Sequence, residues 1–198
     1  MFNQPIEGLN CADLGWGTSN AASVTLSFWV RSSLTGTFGG AVQNSAQNRA
    51  YPFSYTISSA NTFEYKTVTI TGDTTGTWLT TNGVGLFVRF GLGVGSTYSA
   101  TAGAWTAGQY FAPTGATSVV GTNGATFYIT GVQLEKGATA TPFENRLYGT
   151  ELALCQRYYQ KSYNIGTTPG TNTPVGTYMG RAYNTDQYMI DLNHPLRV

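Results

Sequence analysis

The fold is decided by the stretch from Phe127 to Tyr159, which reads FYITGVQLEKGATATPFENRLYGTELALCQRYY. Its first part alternates apolar and polar side chains with the two-residue period of a half-buried strand, which we expect over 127–134. Gly131 interrupts this alternation and predicts a β-bulge or a close approach of the backbone. An irregular arm follows over 135–148, and Thr150 is placed to cap a short helix that starts at the next residue.

The residues before this stretch read as one β domain. The clearest strand is expected over Ser23–Ser32, where successive side chains point to opposite faces. One face, expected to be the core, carries Val24, Leu26, Phe28 and Val30, and the other carries Thr25, Ser27, Trp29 and Arg31. Further strands are expected over Thr37–Gln43, Tyr51–Ser58, Tyr65–Thr71 and Gly83–Gly93.

Two segments of this domain carry weaker signals. Met1–Gly8 shows no clear periodicity, and residues 97–124 are rich in glycine and read as long loops with short extended pieces. No segment before Glu151 has the period of a helix. Short strands at this spacing, separated by turn residues, predict an all-β sandwich.

Three segments carry a resemblance to a known family. They read VTLSFWVRSSLTGTFGGAVQNS over 24–45, FEYKTVTITGDTTGTWLTTNGVGL over 63–86 and GVQLEKGATATPFENRLYGTELALCQRYYQKS over 131–162. In order and spacing they resemble bacteriophage tail-fibre and other virion proteins, in which a jelly roll similar to carbohydrate-binding modules leads into a distal β domain. The resemblance covers about residues 6–162.

The resemblance, together with the β pattern after Tyr159, predicts three parts. A jelly-roll module is expected over 1–147, a linking helix over 148–159 and a distal β segment over 160–198. Within the last part, we expect strands over Gln160–Asn164, Val175–Tyr183 and Gln187–Leu192. A third β segment without a partner does not make a stable domain, so we interpret the distal part as truncated or as completed by neighbouring subunits.

The resemblance also implies a function. The implied function is that of a virion structural protein, which is part of a fibre or a tail tip or is a surface adhesin. Such a protein is assembled in the bacterial cytoplasm. We expect it to form a homo-oligomer, a trimer, in contact with other virion proteins, and to attach by weak multivalent binding to a host surface glycan. The alternatives are a capsid decoration or connector protein without a receptor role, and a glycan depolymerase.

Composition and charge narrow the classes of partner. Charged residues make up 10% of the chain, with 25 Gly and 13 Tyr, which suits short strands joined by tight turns. The net charge is +1 and the basic residues are scattered, so no nucleic-acid partner is expected. No apolar run is long enough for a membrane span. Two cysteines are too few for a disulfide framework, and Cys155 is predicted to be a small buried thiol.

Catalytic and metal-binding patterns are weak. The single histidine, His194, has only Asp191 close in sequence, and the nine carboxylates are dispersed. In similar jelly rolls a carboxylate near the last strand can help bind calcium. Glu135 has that place, but Thr130–Gly131 stands where an acidic pair is expected. We therefore predict no catalytic residue, no metal and no cofactor.

Aromatic side chains are the better functional signal. Sugar rings pack their C–H faces on aromatic rings while polar groups hydrogen-bond the hydroxyls. Trp105 and Tyr110 lie in the long loop region among polar residues. With Gln109 they are the candidate glycan contacts. Trp29 and Trp78 are expected to pack in the core or at an edge.

Overall fold

The computed structural model describes residues 1–159, 166–168 and 171, together with the backbone of 182–184 and 187–188. The chain divides into two compact units, Met1–Phe143 and Glu144–Val198. The predicted strand over Gln160–Asn164 lies outside the described residues, as do His194 and Asp191.

The first unit is built from strands. In chain order they are β1 (Phe2–Glu7), β2 (Val24–Ser32), β3 (Gly36–Asn44), β4 (Arg49–Ile57), β5 (Glu64–Ile70), β6 (Val84–Gly91), β7 (Ser99–Ala100), β8 (Thr106–Ala107), β9 (Ala112–Pro113) and β10 (Phe127–Lys136). A five-stranded sheet has the order β1-β6-β3-β4-β8, and a three-stranded sheet has the order β10-β2-β5. All neighbours within these two sheets are antiparallel. The all-β prediction is confirmed.

The core lies between the two sheets. The alternation predicted for β2 is confirmed, because its inward side chains are all fully buried: Val24, Leu26, Phe28 and Val30. The Phe28 ring packs edge-on against two rings of the five-stranded sheet, Tyr55 at 4.9 Å and Phe90 at 5.0 Å between centroids. Phe28 therefore joins the two sheets.

Close packing at the centre of β3 depends on two glycines. A Cβ on Gly40 would collide with the Arg89 carbonyl of β6, and one on Gly39 would collide with the Phe53 carbonyl of β4. Neither obstacle can move without breaking the sheet, since both are backbone atoms.

An ion pair between the half-buried Arg49 of β4 and the buried Asp73 connects the loop after β5 to β4. Arg49 donates two hydrogen bonds to the Asp73 carboxylate, from Nε at 2.8 Å and from Nη2 at 2.7 Å. The Thr75 backbone N–H adds a third, at 3.1 Å. Burial alone would raise the pKa of Asp73, but the hydrogen bonds from Arg49 and Thr75 outweigh it and hold the pKa below its ordinary value.

The structure corrects two predictions in the second unit. The helix α1 spans Tyr148–Gln156 and follows Leu147, so Thr150 lies in its first turn instead of capping it. No residue of α1 is buried, so the prediction of a buried thiol at Cys155 is wrong: its side chain is exposed.

The distal strands are described only by their backbones. β11 (Ala182–Asn184) pairs antiparallel with β12 (Gln187–Tyr188); β11 overlaps the end of the expected Val175–Tyr183 strand and runs one residue past it, and β12 lies at the start of the expected Gln187–Leu192 strand. None of the helices in the described part of the chain is both long and apolar enough to cross a membrane.

Candidate functional site

The structure places Trp105 in a cluster of aromatic rings. Its ring packs edge-on at 5.3 Å from each of Trp16, Trp78 and Tyr51, measured between centroids. Its indole N–H donates a hydrogen bond of 2.7 Å to the Thr71 carbonyl. The ring edges and the N–H of Trp105 thus hold together the loops at one side of the sandwich, which leaves little of this side chain to contact a glycan.

The two other predicted contacts have different surroundings. Gln109 is exposed, and its amide donates a 2.7 Å hydrogen bond to the Gln47 side chain. Tyr110 is half-buried, and its ring lies against Gly108. Among the described residues, Tyr110 is not one of the rings that contact Trp105. The three side chains predicted from the sequence therefore do not form a shared aromatic platform.

A second aromatic surface lies on the outer face of the three-stranded sheet. The strands place Trp29 of β2 directly opposite Tyr65 of β5. Their ring centroids are 5.3 Å apart and their planes are tilted by 47°. Trp29 is 45% exposed and Tyr65 is 44% exposed, so both rings present area to solvent.

The chain after β10 turns back over this face. We call residues 137–143 the arm. The Thr25 hydroxyl donates to the Gly137 carbonyl at 2.9 Å, and the Thr69 hydroxyl donates to the Ala138 carbonyl at 3.2 Å. These bonds fix the start of the arm across β2 and β5. Because the arm covers the centre of the face, Ser27 is only 2% exposed although it points away from the core.

Glu135 holds the end of the arm. Its carboxylate accepts the Thr141 backbone N–H at 3.0 Å and also the Thr141 hydroxyl. Hydrogen bonds from Thr141, and from Gln133, hold the pKa of Glu135 below its ordinary value. The Glu135 carboxylate, whose place after the last strand suggested a calcium ligand, is thus hydrogen-bonded to the arm. No group of three or more His, Cys, Asp or Glu in the described part of the chain is arranged to hold a metal ion.

A groove of about 380 Å³ lies between the arm and the aromatic pair. Trp29 and Tyr65 form one wall, and the arm residues Pro142 and Phe143 form the other. All of its lining residues are uncharged: Ser27, Trp29, Tyr65, Gly131, Ala140, Thr141, Pro142 and Phe143. Its volume falls within the roughly 300–1,000 Å³ of small-molecule sites. Rings on both walls and hydroxyls and carbonyls between them can receive a polar molecule that has flat apolar faces.

Gly131 keeps the groove open. The register between β10 and β2 shifts after Thr130, which confirms the predicted bulge, and Gly131 has φ of 57°. A Cβ there would lie 3.4 Å from the Trp29 ring and 3.9 Å from the Phe143 ring, between the two walls. The sequence predicted the bulge but not its consequence, which is a gap at the centre of the groove.

The sequence contained one signal for this groove that was given another interpretation. The alternation in β2 places Trp29 on the face opposite Phe28, where the sequence predicts packing in the core or at an edge. Tyr65 occupies the corresponding outward position of β5. No protein-family model, curated protein or solved structure matches the chain.

Proposed function

We propose that this chain is a structural protein of a bacteriophage virion, and that its first unit is a non-catalytic carbohydrate-binding jelly roll used for attachment. The eight strands of its two main sheets agree with a jelly roll. The resemblance of residues 24–45, 63–86 and 131–162 to virion proteins supports the biological setting.

The observation that carries the binding function is the pair Trp29 and Tyr65 at the groove. Two half-exposed rings, 5.3 Å apart, form a paired aromatic surface beside the groove that a partner can cover. A saccharide has groups that suit both the aromatic rings and the polar groups of the groove. Its C–H faces pack on the rings, and its hydroxyls replace water at Thr141 and at the backbone carbonyls.

Single-site affinity is expected to be weak. The groove is shallow enough to leave both rings about half exposed, and hydrogen bonds to a saccharide mostly replace hydrogen bonds to water. Several copies in a homotrimer, and several trimers on a virion, raise the net strength of attachment without any new contact. This is the role that the proposed oligomer has in the function.

Binding of the full-length protein to an array of bacterial surface polysaccharides tests the proposal. Trp29→Ala should lower binding to the array by about tenfold or more, since loss of a stacked ring and its burial removes over 1.4 kcal/mol. The matched control is Tyr98→Ala, which removes a ring that is 44% exposed, close to the 45% of Trp29, but stacks on Phe111 away from the groove.

A second variant separates the groove from the predicted loop site. Gln109→Ala removes an exposed side chain of that loop and should leave array binding unchanged. If Gln109→Ala loses binding while Trp29→Ala retains it, the glycan site is in the loop. If the wild-type protein binds nothing on the array, a decoration or connector role replaces the adhesin.

A further inference from the structure

The guanidinium of Arg31 lies on the same sheet face as the groove. Arg31 follows Trp29 by two residues in β2, so both side chains leave the sheet on the outer side. Its guanidinium carbon is 5.3 Å from the centre of the Tyr128 ring, which is opposite Arg31 in β10. Tyr128 is itself about half exposed. A cationic position therefore lies two residues along β2 from the aromatic pair, on the same face but outside the lining of the groove.

The hydrogen-bonding capacity of Arg31 is not used within the described residues. Its Nε–H is buried and has no hydrogen-bond partner. A buried N–H without a partner is costly, and buried N–H groups in proteins nearly always have one. Because this nitrogen is shielded from the open side of the face, a bound anion there would meet the terminal Nη groups of the guanidinium, for which the described residues also provide no hydrogen-bond partner.

The charge of Arg31 is also uncompensated in the described part of the chain, where no carboxylate forms an ion pair with it. The Glu64 carboxylate already accepts hydrogen bonds from the Ser58 and Ser59 backbone N–H groups and from the Lys66 ammonium group. The Glu135 carboxylate accepts hydrogen bonds from the arm. Glu135 also lies opposite Thr25, which is toward the other end of β2 from Arg31.

We propose that the groove binds an acidic saccharide, with a sugar ring on Trp29 and Tyr65 and an anionic substituent on Arg31. This inference rests on the proposed function, and it adds the class of ligand. Two residues along a strand span about 7 Å, so one saccharide can reach both positions. The planar guanidinium offers a pair of parallel donors that match a carboxylate or a phosphate, which are the two possible sources of the charge.

The array of bacterial polysaccharides provides the test if its members are grouped by charge. The strongest binders should be acidic. Carboxyl reduction of such a polysaccharide, which converts each uronate to the neutral sugar, should weaken binding by about tenfold or more, because charge-assisted hydrogen bonds are the strong ones. Removal of phosphate esters from a phosphorylated polysaccharide is the second arm, and it shows which anion is recognised.

Variants of Arg31 localise the effect. Arg31→Gln should remove the preference for acidic over reduced polysaccharide, whereas Arg31→Lys should keep part of it and lose the two-point geometry. The preference of the wild type should also weaken as salt increases. Thermal melting of Arg31→Gln, expected to match the wild type, distinguishes this role from a structural one.

The outcomes separate the inference from the proposed function. Neutral binders only, with loss of binding in Trp29→Ala, would overturn the acidic ligand and leave the saccharide site in place. An acidic preference that survives in Arg31→Gln would also overturn the inference. Absence of binding to every polysaccharide would overturn both.

Discussion

Trp105→Ala should destabilise the first unit, because the structure gives this side chain a structural role. Replacement of a fully buried Trp costs about 3–5 kcal/mol. Trp105 is partly exposed, which lowers this figure, but it has three edge-on ring contacts and one indole hydrogen bond to Thr71. About 0.5–1.5 kcal/mol for each aromatic pair and about 1 kcal/mol for the hydrogen bond total about 2.5–5.5 kcal/mol, and the partial exposure of the side chain lowers the expected loss to about 2–4 kcal/mol.

Urea unfolding followed by far-ultraviolet circular dichroism measures this loss without relying on tryptophan emission. For a slope near 2 kcal/mol per M, the midpoint should fall by about 1–2 M. Tyr98→Ala is the control, since among the described residues its ring stacks on Phe111 alone, 5.2 Å away, and its midpoint should shift much less. An unchanged midpoint for Trp105→Ala, together with lost saccharide binding, would refute the structural assignment and restore Trp105 as a ligand contact.

Three other predictions follow from the fold. Phe28→Ala should lower the unfolding free energy by about 3–5 kcal/mol. Its control is Thr67→Ala at an exposed position of the adjacent strand, which should change the unfolding free energy by less than about 0.5 kcal/mol. Similar urea midpoints for the two variants would mean that the inner face is wrongly assigned. Asp73→Asn should lower the unfolding free energy by about 2 kcal/mol near neutral pH. Because the pKa of Asp73 is lowered in the folded state, the difference in unfolding free energy between wild type and variant should shrink as the pH falls below about 4. A difference that stays constant down to pH 2 would contradict the ion pair. Light scattering of the full-length protein should give about three times the 21.2 kDa chain mass, and a stable monomer at micromolar concentration would contradict the trimer.

The sequence predicted the parts of the fold that depend on local alternation. Val24, Leu26, Phe28 and Val30 repeat every second residue, and a strand with one buried face must have this pattern. Gly131 marked the bulge because glycine is favoured where φ is positive. β1 was missed, since Pro5 and the polar residues of an edge strand leave no clear period.

The candidate site could not be predicted in the same way. Alternation says which face of a strand a residue occupies, but it does not say what covers that face. Ser27 and Trp29 share the outer face, yet the arm covers Ser27 and leaves Trp29 about half exposed. The path of the arm depends on hydrogen bonds between residues far apart in sequence, such as Thr25 and Gly137, and no local pattern encodes these.

The surroundings of Trp105 could not be predicted from the sequence either. Its position in a glycine-rich loop indicated exposure and a free ring. The Trp16 and Trp78 rings that pack against it come from other loops, so only the folded chain brings them together.

Hydrogen–deuterium exchange of the full-length protein, with and without the polysaccharide fragment that binds tightest on the array, tests the central claim most directly. A saccharide in the groove should slow amide exchange in peptides that contain the arm, 137–143, and the bulge around Gly131, while peptides from 103–110 stay unchanged. Slower exchange confined to 103–110, with the arm unaffected, would contradict the groove as the binding site.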